Sequence, residues 1–190
     1  MPTLDHRAPL VLDTHDLGRR PGAEREVTVS APAPVDLGVD VLSVPEGSPI
    51  ELDLRLESVM EGVLVTGTAS VELAGECVRC LTPIEDDLTV DLQELYLYED
   101  QDEDVEDDDE ETSRMDGELL DLEPVVRDAV VLSLPQNPLC TPDCPGLCQE
   151  CGIRLADDPE HSHGEVLDPR WAALEGLRVG GDPADHKESS

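Results

Sequence analysis

From residue 50 to 56 apolar and polar positions alternate without a break. Ile50, Leu52, Leu54 and Leu56 fall on one face, and Glu51, Asp53 and Arg55 on the other. A period of two marks a half-buried β-strand. The same period resumes after Glu61-Gly62, carried by Val63, Val65, Gly67, Ala69, Val71 and Leu73. Gly67 and Ala69 are small, which predicts a bend or the close approach of another backbone at that point. Leu88, Val90 and Leu92 repeat the pattern up to Glu94-Leu95-Tyr96. Upstream, 26–30 (E-V-T-V-S) alternates and is β-branched, and 39–44 is a further strand closed by Pro45, Gly47 and Pro49. Residues 10–18 read as a short strand entering a turn, followed by the loop Arg19-Arg20-Pro21-Gly22. Five or six short strands joined by turns imply an antiparallel sheet, barrel-like in the fullest version of this expectation.

After residue 120 the period changes. Leu122, Val125, Val126, Ala129, Val130 and Ser133 follow the spacing of one helix face, giving a mostly apolar stripe for the sheet. Asp121 is placed to cap that helix, Pro124 sits in its first turn, and Pro135 stops it. Asp168-Pro169 opens a second, short helix with Trp171, Leu174 and Leu177 on one face. The expected class is therefore α+β. A β-rich part (1–98) and a segment with the helix, a cysteine-rich stretch and the last helix (118–178) share one core. An acidic disordered insertion (99–117) separates them, and a loose tail (179–190) follows.

Charge narrows the partners. There are 46 acidic residues against 12 basic ones, a formal net charge of -34. Such a field repels phosphates, whose binding rests on Lys and Arg. With no Phe, one Trp and two Tyr, the chain also lacks a platform for stacking bases. DNA binding and broad RNA binding are disfavoured, and a basic protein partner is easier to reconcile with the field. The acid block 99–111 contains no basic residue and reads as a solvated linker, with a contact arm for a basic partner as its functional alternative. No apolar run is long enough to span a bilayer, and the N-terminal residues lack the apolar stretch of a secretion signal. The expected compartment is reducing cytoplasm, where closely spaced cysteines bind metal more often than they form structural disulfides.

The stretch 139–152 (L-C-T-P-D-C-P-G-L-C-Q-E-C-G) packs four of the six cysteines, interrupted by Pro142, Pro145 and Gly146. Regular backbone pairing cannot run through it, so a thiophilic ion such as zinc is the economical holder. A second motif, Cys77-Val78-Arg79-Cys80, lies between two strands and is half of a tetrahedral site. Six cysteines with His161 and His163 make eight ligands, enough for two zinc ions. The favoured arrangement pairs Cys77 and Cys80 with Cys140 and Cys144, and Cys148 and Cys151 with His161 and His163. A rival arrangement puts Cys140, Cys144, Cys148 and Cys151 on one ion and leaves Cys77 and Cys80 as a thiol pair. The bland alternative for the two histidines is a pair of solvated imidazoles. Cys144-x3-Cys148-x2-Cys151 also has the spacing of an iron–sulfur loop in radical enzymes, but those enzymes carry it early in a large barrel, and about forty residues follow here. Closed four-ligand sites are structural. Catalytic loops of the G-x-S-x-G, Walker and G-x-G-x-x-G types are absent, and a Cys151–His161 nucleophile pair would be occupied by the metal, so no enzyme is expected.

Taken together, residues 12–18, 76–83 (E-C-V-R-C-L-T-P), 94–96, 134–152 (L-P-Q-N-P-L-C-T-P-D-C-P-G-L-C-Q-E-C-G) and 168–174 (D-P-R-W-A-A-L) resemble the YceD-like large-ribosomal-RNA accumulation proteins. The resemblance implies a role in accumulation or processing of 23S rRNA and in large-subunit biogenesis, with no established catalytic residue. Many bacterial relatives carry Cys-x-Cys where this chain has His161-Ser162-His163, an exchange of one zinc-ligand type for another. Set against the charge, the resemblance implies an adaptor that contacts a basic ribosomal protein or large-subunit assembly factor and touches precursor 23S rRNA directly or indirectly. The alternatives are a local RNA contact through Arg79, Arg154 and Arg170, or a zinc-stabilised interaction module unrelated to ribosomes. A nuclease is disfavoured by the closed ligand sets.

Overall fold

A computed structural model describes residues 4–98 and 113–163. Two compact units divide the chain, Met1–Pro145 and Gly146–Ser190. The first contains all the named elements in the order β1 (Val11–Asp13), β2 (Glu24–Pro32), β3 (Gly38–Val39), β4 (Leu42–Ser43), β5 (Pro49–Ser58), β6 (Gly62–Glu76), β7 (Pro83–Leu97), β8 (Leu119–Asp121) and α1 (Glu123–Ser133).

β6 is the organising strand. Along one edge it pairs with β7 over its whole length, from Gly62↔Leu97 to Glu76↔Pro83. Along the other it pairs first with β5, from Val63↔Ser58 to Val71↔Ile50, and then with β4 at Ala74 and Gly75. β2 pairs with β5, and β3 with β4, all antiparallel. The alternation read from the sequence becomes burial: Ile50, Leu52, Leu54, Leu56, Val63, Val65, Ala69 and Val71 face the core, while Glu51, Asp53 and Arg55 are exposed. Each such aliphatic side chain withdrawn from water contributes about 1.5–3 kcal/mol. Gly67 breaks the series for the predicted reason. A Cβ there would overlap the Asp53 carbonyl oxygen, and its φ of 155° is one that L side chains rarely adopt.

Three expectations change. First, the sheet is open rather than barrel-like. Closure requires the outer strands to pair with each other, and among the named strands β2 pairs only with β5 and β7 only with β6. Second, 39–44 is a tight hairpin of two short strands, not one strand. Asp40 and Val41 form the turn, and Gly38 lies so close to Ser43 that no side chain fits. Third, the strands number eight among the described residues, because 39–44 divides in two and β8 is added, forming a separate two-stranded sheet with β1.

The helix stripe packs as read up to Val130, whereas Ser133, its last expected position, is exposed. Leu122, Val126, Val130 and Leu134 are buried in the same core as the sheet, with Val125 and Ala129 half-buried against it. Its N-cap is Leu122 rather than Asp121. Asp121 instead accepts the Glu123 N–H through Oδ1 at 2.9 Å, one residue earlier than a cap would. Tyr96 ties β7 to this region by donating its hydroxyl to the Asp121 carbonyl at 2.7 Å. Ser113 and Met115 pair with Leu97 through the backbone, and Met115 is buried. The acid block 99–111, the helix expected from Asp168 and the tail from Gly180 lie outside the described residues.

Candidate metal centres

β6 and β7 are joined by residues 77–82, a turn with a fixed hydrogen-bond plan. The Cys77 N–H donates to the Thr82 carbonyl and the Leu81 N–H returns to the Cys77 carbonyl, both at 2.9 Å. Leu81 has a positive φ of 57°. The turn leaves Cys77 and Cys80 on one side of the loop, and both are buried. Opposite them runs the chain after α1. The Val78 N–H donates to the Pro138 carbonyl at 3.0 Å, the Cys144 N–H to the Thr141 carbonyl at 3.1 Å, and the Arg79 guanidinium to the Cys144 carbonyl at 3.0 Å.

These contacts bring four sulfurs together. The Sγ atoms of Cys77, Cys80, Cys140 and Cys144 all lie within 4.8 Å of one another, with Cys77–Cys144 at 3.8 Å and Cys80–Cys140 at 3.5 Å. A tetrahedron with Zn–S bonds of about 2.3 Å has sulfur–sulfur edges of about 3.8 Å. A disulfide would need about 2.0 Å, and all six cysteines are thiols. The electrostatics favour thiolates here. Burial pushes the Cys77 thiol up, but the backbone amides of Cys140, Arg79 and Cys80 draw it down to about 6. Cys80 is lowered by the hydroxyl of Thr82, 3.1 Å away, and by the Thr82 amide. Cys140 goes the other way, raised by its hydrogen bond to the Cys80 sulfur. Backbone amides aimed at sulfur are the usual outer support of a cysteine-held metal.

The second unit repeats the turn. In Cys148-Gln149-Glu150-Cys151-Gly152-Ile153, the Cys148 N–H donates to the Ile153 carbonyl at 2.8 Å and the Gly152 N–H to the Cys148 carbonyl at 2.9 Å. Gly152 has a positive φ of 74°. The two ligand sulfurs meet two imidazoles: Cys151 Sγ is 3.1 Å from His161 Nε2 and 3.2 Å from His163 Nε2, and the two Nε2 atoms are 2.9 Å apart. Both rings thus present Nε2. Their other nitrogens face acids, His161 Nδ1 at 3.7 Å from Asp158 and His163 Nδ1 at 3.5 Å from Glu150. The amides of Cys151 and Glu150 lower the Cys148 thiol to about 6.

Every candidate ligand of the sequence reading lies in one of two groups, Cys77, Cys80, Cys140 and Cys144, or Cys148, Cys151, His161 and His163. Each group has the donor set and spacing to hold a metal ion, and both histidines belong to theirs. Sequence reasoning missed the supporting residues Thr82, Glu150 and Asp158, and placed Arg79 only as an RNA contact. The repeated Cys-x2-Cys followed by a residue with positive φ was the available signal, and the leucine in the first copy hid it.

Residues 65–178 match the family described as "Large ribosomal RNA subunit accumulation protein YceD". An uncharacterised protein of Mycobacterium tuberculosis is 46% identical over 167 residues, 88% of this chain and 80% of the relative. One of Mycobacterium leprae is 41% identical over the same length, 88% of this chain and 76% of the relative. No solved structure matches.

Proposed function

The chain belongs to the YceD family of large ribosomal RNA subunit accumulation proteins, and we propose that it acts there without catalysis, as a zinc-held acidic adaptor for a basic ribosomal or assembly protein. Membership supports a role in large-subunit rRNA accumulation, and hence cytoplasmic work on precursor 23S rRNA. Among the described residues no helix is long and apolar enough to cross a membrane.

The observation that carries the adaptor reading is the open face of the sheet. Its rungs run Glu26–Arg55–Thr66–Gln93, Thr28–Asp53–Thr68–Asp91 and Ser30–Glu51–Ser70–Thr89 across β2, β5, β6 and β7. Carboxylates and hydroxyls dominate it, and Arg55 is already paired with Glu24 and Glu57. Such a face repels RNA phosphate and speeds encounter with a cationic protein. Zinc, when bound, would supply a four-fold cross-link at each group. Cys77, Cys80, Cys140 and Cys144 would tie the β6–β7 turn to the chain after α1, and Cys148, Cys151, His161 and His163 would close the second unit. Binding free energy at such sites becomes folding free energy, on the order of 10 kcal/mol. A direct RNA contact has weaker support: Arg79 is engaged with the Cys144 carbonyl and Arg170 lies outside the described residues, which leaves the exposed Arg154 of the three.

The test is the ratio of mature 23S to 16S rRNA in cells depleted of the protein, with precursors resolved. The expected result is a selective fall in 23S. An unchanged ratio with normal precursors overturns the reading. Binding to precursor RNA by the purified, zinc-loaded protein alone, weakening steeply with salt, would favour the direct contact instead.

A further inference from the structure

One end of the sheet carries exposed aliphatic side chains set among acidic ones. Of the eight large hydrophobic residues exposed among the described residues, five are Val35, Val39, Val41, Val78 and Leu81. The topology gathers Val39, Val41, Val78 and Leu81 near the C-terminal end of β6. β4 pairs with Ala74 and Gly75, the Glu76 N–H donates to the Val41 carbonyl at 3.0 Å, and the turn bearing Val78 and Leu81 follows directly. Val35 and Val39 line an open groove of about 730 Å³ whose other walls carry Asp36, Asp40 and Glu46 and no basic residue. Arg127 reaches this loop, but its guanidinium is engaged by the carbonyls of Asp36 and Val35 and by the Glu123 carboxylate.

Leu81 adds an independent observation. It holds a left-handed backbone conformation that favours glycine, and the same place in the second Cys-x2-Cys turn is Gly152. Yet its side chain is 54% exposed and so gains little from the core. A leucine kept in a strained conformation with its side chain in water contributes nothing evident to the fold. Residues of this kind cluster at binding surfaces.

We propose that this end of the sheet, the groove of Val35 and Val39 together with Val78 and Leu81, is the docking surface for an amphipathic, Lys/Arg-bearing segment of a protein partner. The inference rests on the adaptor reading and names its surface. Aliphatic side chains of the segment cover the valines and Leu81, and its cations meet Asp36, Asp40 and Glu46. The complementarity selects a protein segment over RNA, since the groove offers phosphate only carboxylates.

The test uses the full-length, zinc-loaded chain and two synthetic peptides, one alternating Lys with Leu and one alternating Lys with Ser, followed by fluorescence anisotropy. The Lys–Leu peptide is expected to bind about tenfold more tightly than the Lys–Ser peptide, the effect of burying one or two aliphatic side chains. Val35→Ser with Val39→Ser, and separately Leu81→Gly, should each weaken the Lys–Leu peptide about five- to tenfold and leave the Lys–Ser peptide unchanged. Zinc content and circular dichroism identify a variant that has lost its fold, and Leu81→Gly is chosen because its backbone conformation suits glycine. Equal binding of the two peptides, or variants that bind like the parent, overturns the proposal. So does a dimer of the chain that the same variants dissolve, which would make a second copy the occupant. In depleted cells, rescue of 23S by the wild type but not by the variants supports the surface, whereas equal rescue overturns it and leaves the ribosomal role standing. No fall of 23S on depletion, with the peptide result intact, removes the ribosomal role and leaves the surface.

Discussion

Leu81 and Gly152 occupy the same position in two copies of one turn. In each, the preceding Cys-x2-Cys pair is closed by hydrogen bonds from the first cysteine's N–H to a carbonyl five residues on, and from the residue with positive φ back to that cysteine's carbonyl. The φ values are 57° for Leu81 and 74° for Gly152. A β-carbon in that conformation costs about 1–2 kcal/mol, and glycine recovers this less its own greater loss of backbone freedom, about 0.5–1 kcal/mol. Leu81→Gly is therefore expected to stabilise the first unit by about 0.5–1 kcal/mol, read as an increase in the urea midpoint. Gly152→Ala should lower the metal affinity of the second centre by about fivefold or more, although nothing crowds the new methyl group. Destabilisation by the leucine change would show that the side chain packs in the fold after all.

The two ligand groups give a count. The purified protein should contain two equivalents of zinc, and Cys140→Ser and Cys148→Ser should each retain about one, because each variant breaks one four-ligand set. Metal analysis with a cobalt substitution spectrum separates the centres, since a four-sulfur site and a two-sulfur, two-nitrogen site absorb differently. A single equivalent in the parent protein would sink the two-centre assignment.

Arg79 lies outside the ligand set and still bears on the first centre, because its guanidinium fixes the Cys144 carbonyl from the opposite side of the site. Arg79→Met should reduce zinc affinity there about tenfold, the usual scale for losing an outer support, with the second centre unaffected. Competition with a chromogenic chelator measures both. Equal loss at both centres would point to a general effect on folding rather than to this contact.

Gly67 pairs with Leu54 in the β5–β6 ladder, where a β-carbon would run into the β5 backbone. Gly67→Ala places a methyl group against the Asp53 carbonyl oxygen and the Leu54 backbone, neither of which can move without breaking the ladder. The expected cost is about 2–3 kcal/mol in chemical denaturation. A loss below the error of the measurement would mean that the strands separate there more easily than the pairing implies.

His15 supplies the pH dependence. Its Nδ1 lies 2.7 Å from a Glu118 carboxylate oxygen, and that hydrogen bond, with the charge of Glu118 and those of Asp13 and Asp16, raises its pKa above the ordinary 6.5 against the opposing effect of desolvation. A raised pKa means that the folded state binds the proton more tightly than the unfolded one. The contribution is fully present below 6.5 and is lost as pH rises through the higher folded value. Both side chains are largely exposed, so salt should screen the effect. His15→Gln should flatten the fall in stability just above pH 6.5 and leave stability at high pH unchanged. A slope identical to the parent's would exclude this pair as its source.

The alternation at 50–56 and 63–73 determined which side chains are buried, because a strand's two faces are set by sequence parity alone and the burial of Ile50 to Leu56 follows it residue by residue. The helix stripe from Leu122 to Val130 was legible for the same reason, with a different period. The eight candidate ligands were legible as residue types, since little besides a metal explains so many thiols among prolines and glycine. Their grouping depended on contacts across the chain: Cys77 meets Cys144 over 67 residues, and hydrogen bonds such as Val78–Pro138 and Arg79–Cys144 bring those segments together. Closure or opening of the sheet was likewise beyond a local pattern, because it depends on whether β2 and β7 find each other, and periodicity is silent about partners. The hairpin at 38–43 and the exposed leucine of the first turn belong with these. Their conformations are set by how near Ser43 and the β6–β7 junction lie, and proximity of that kind exists only once the chain has folded.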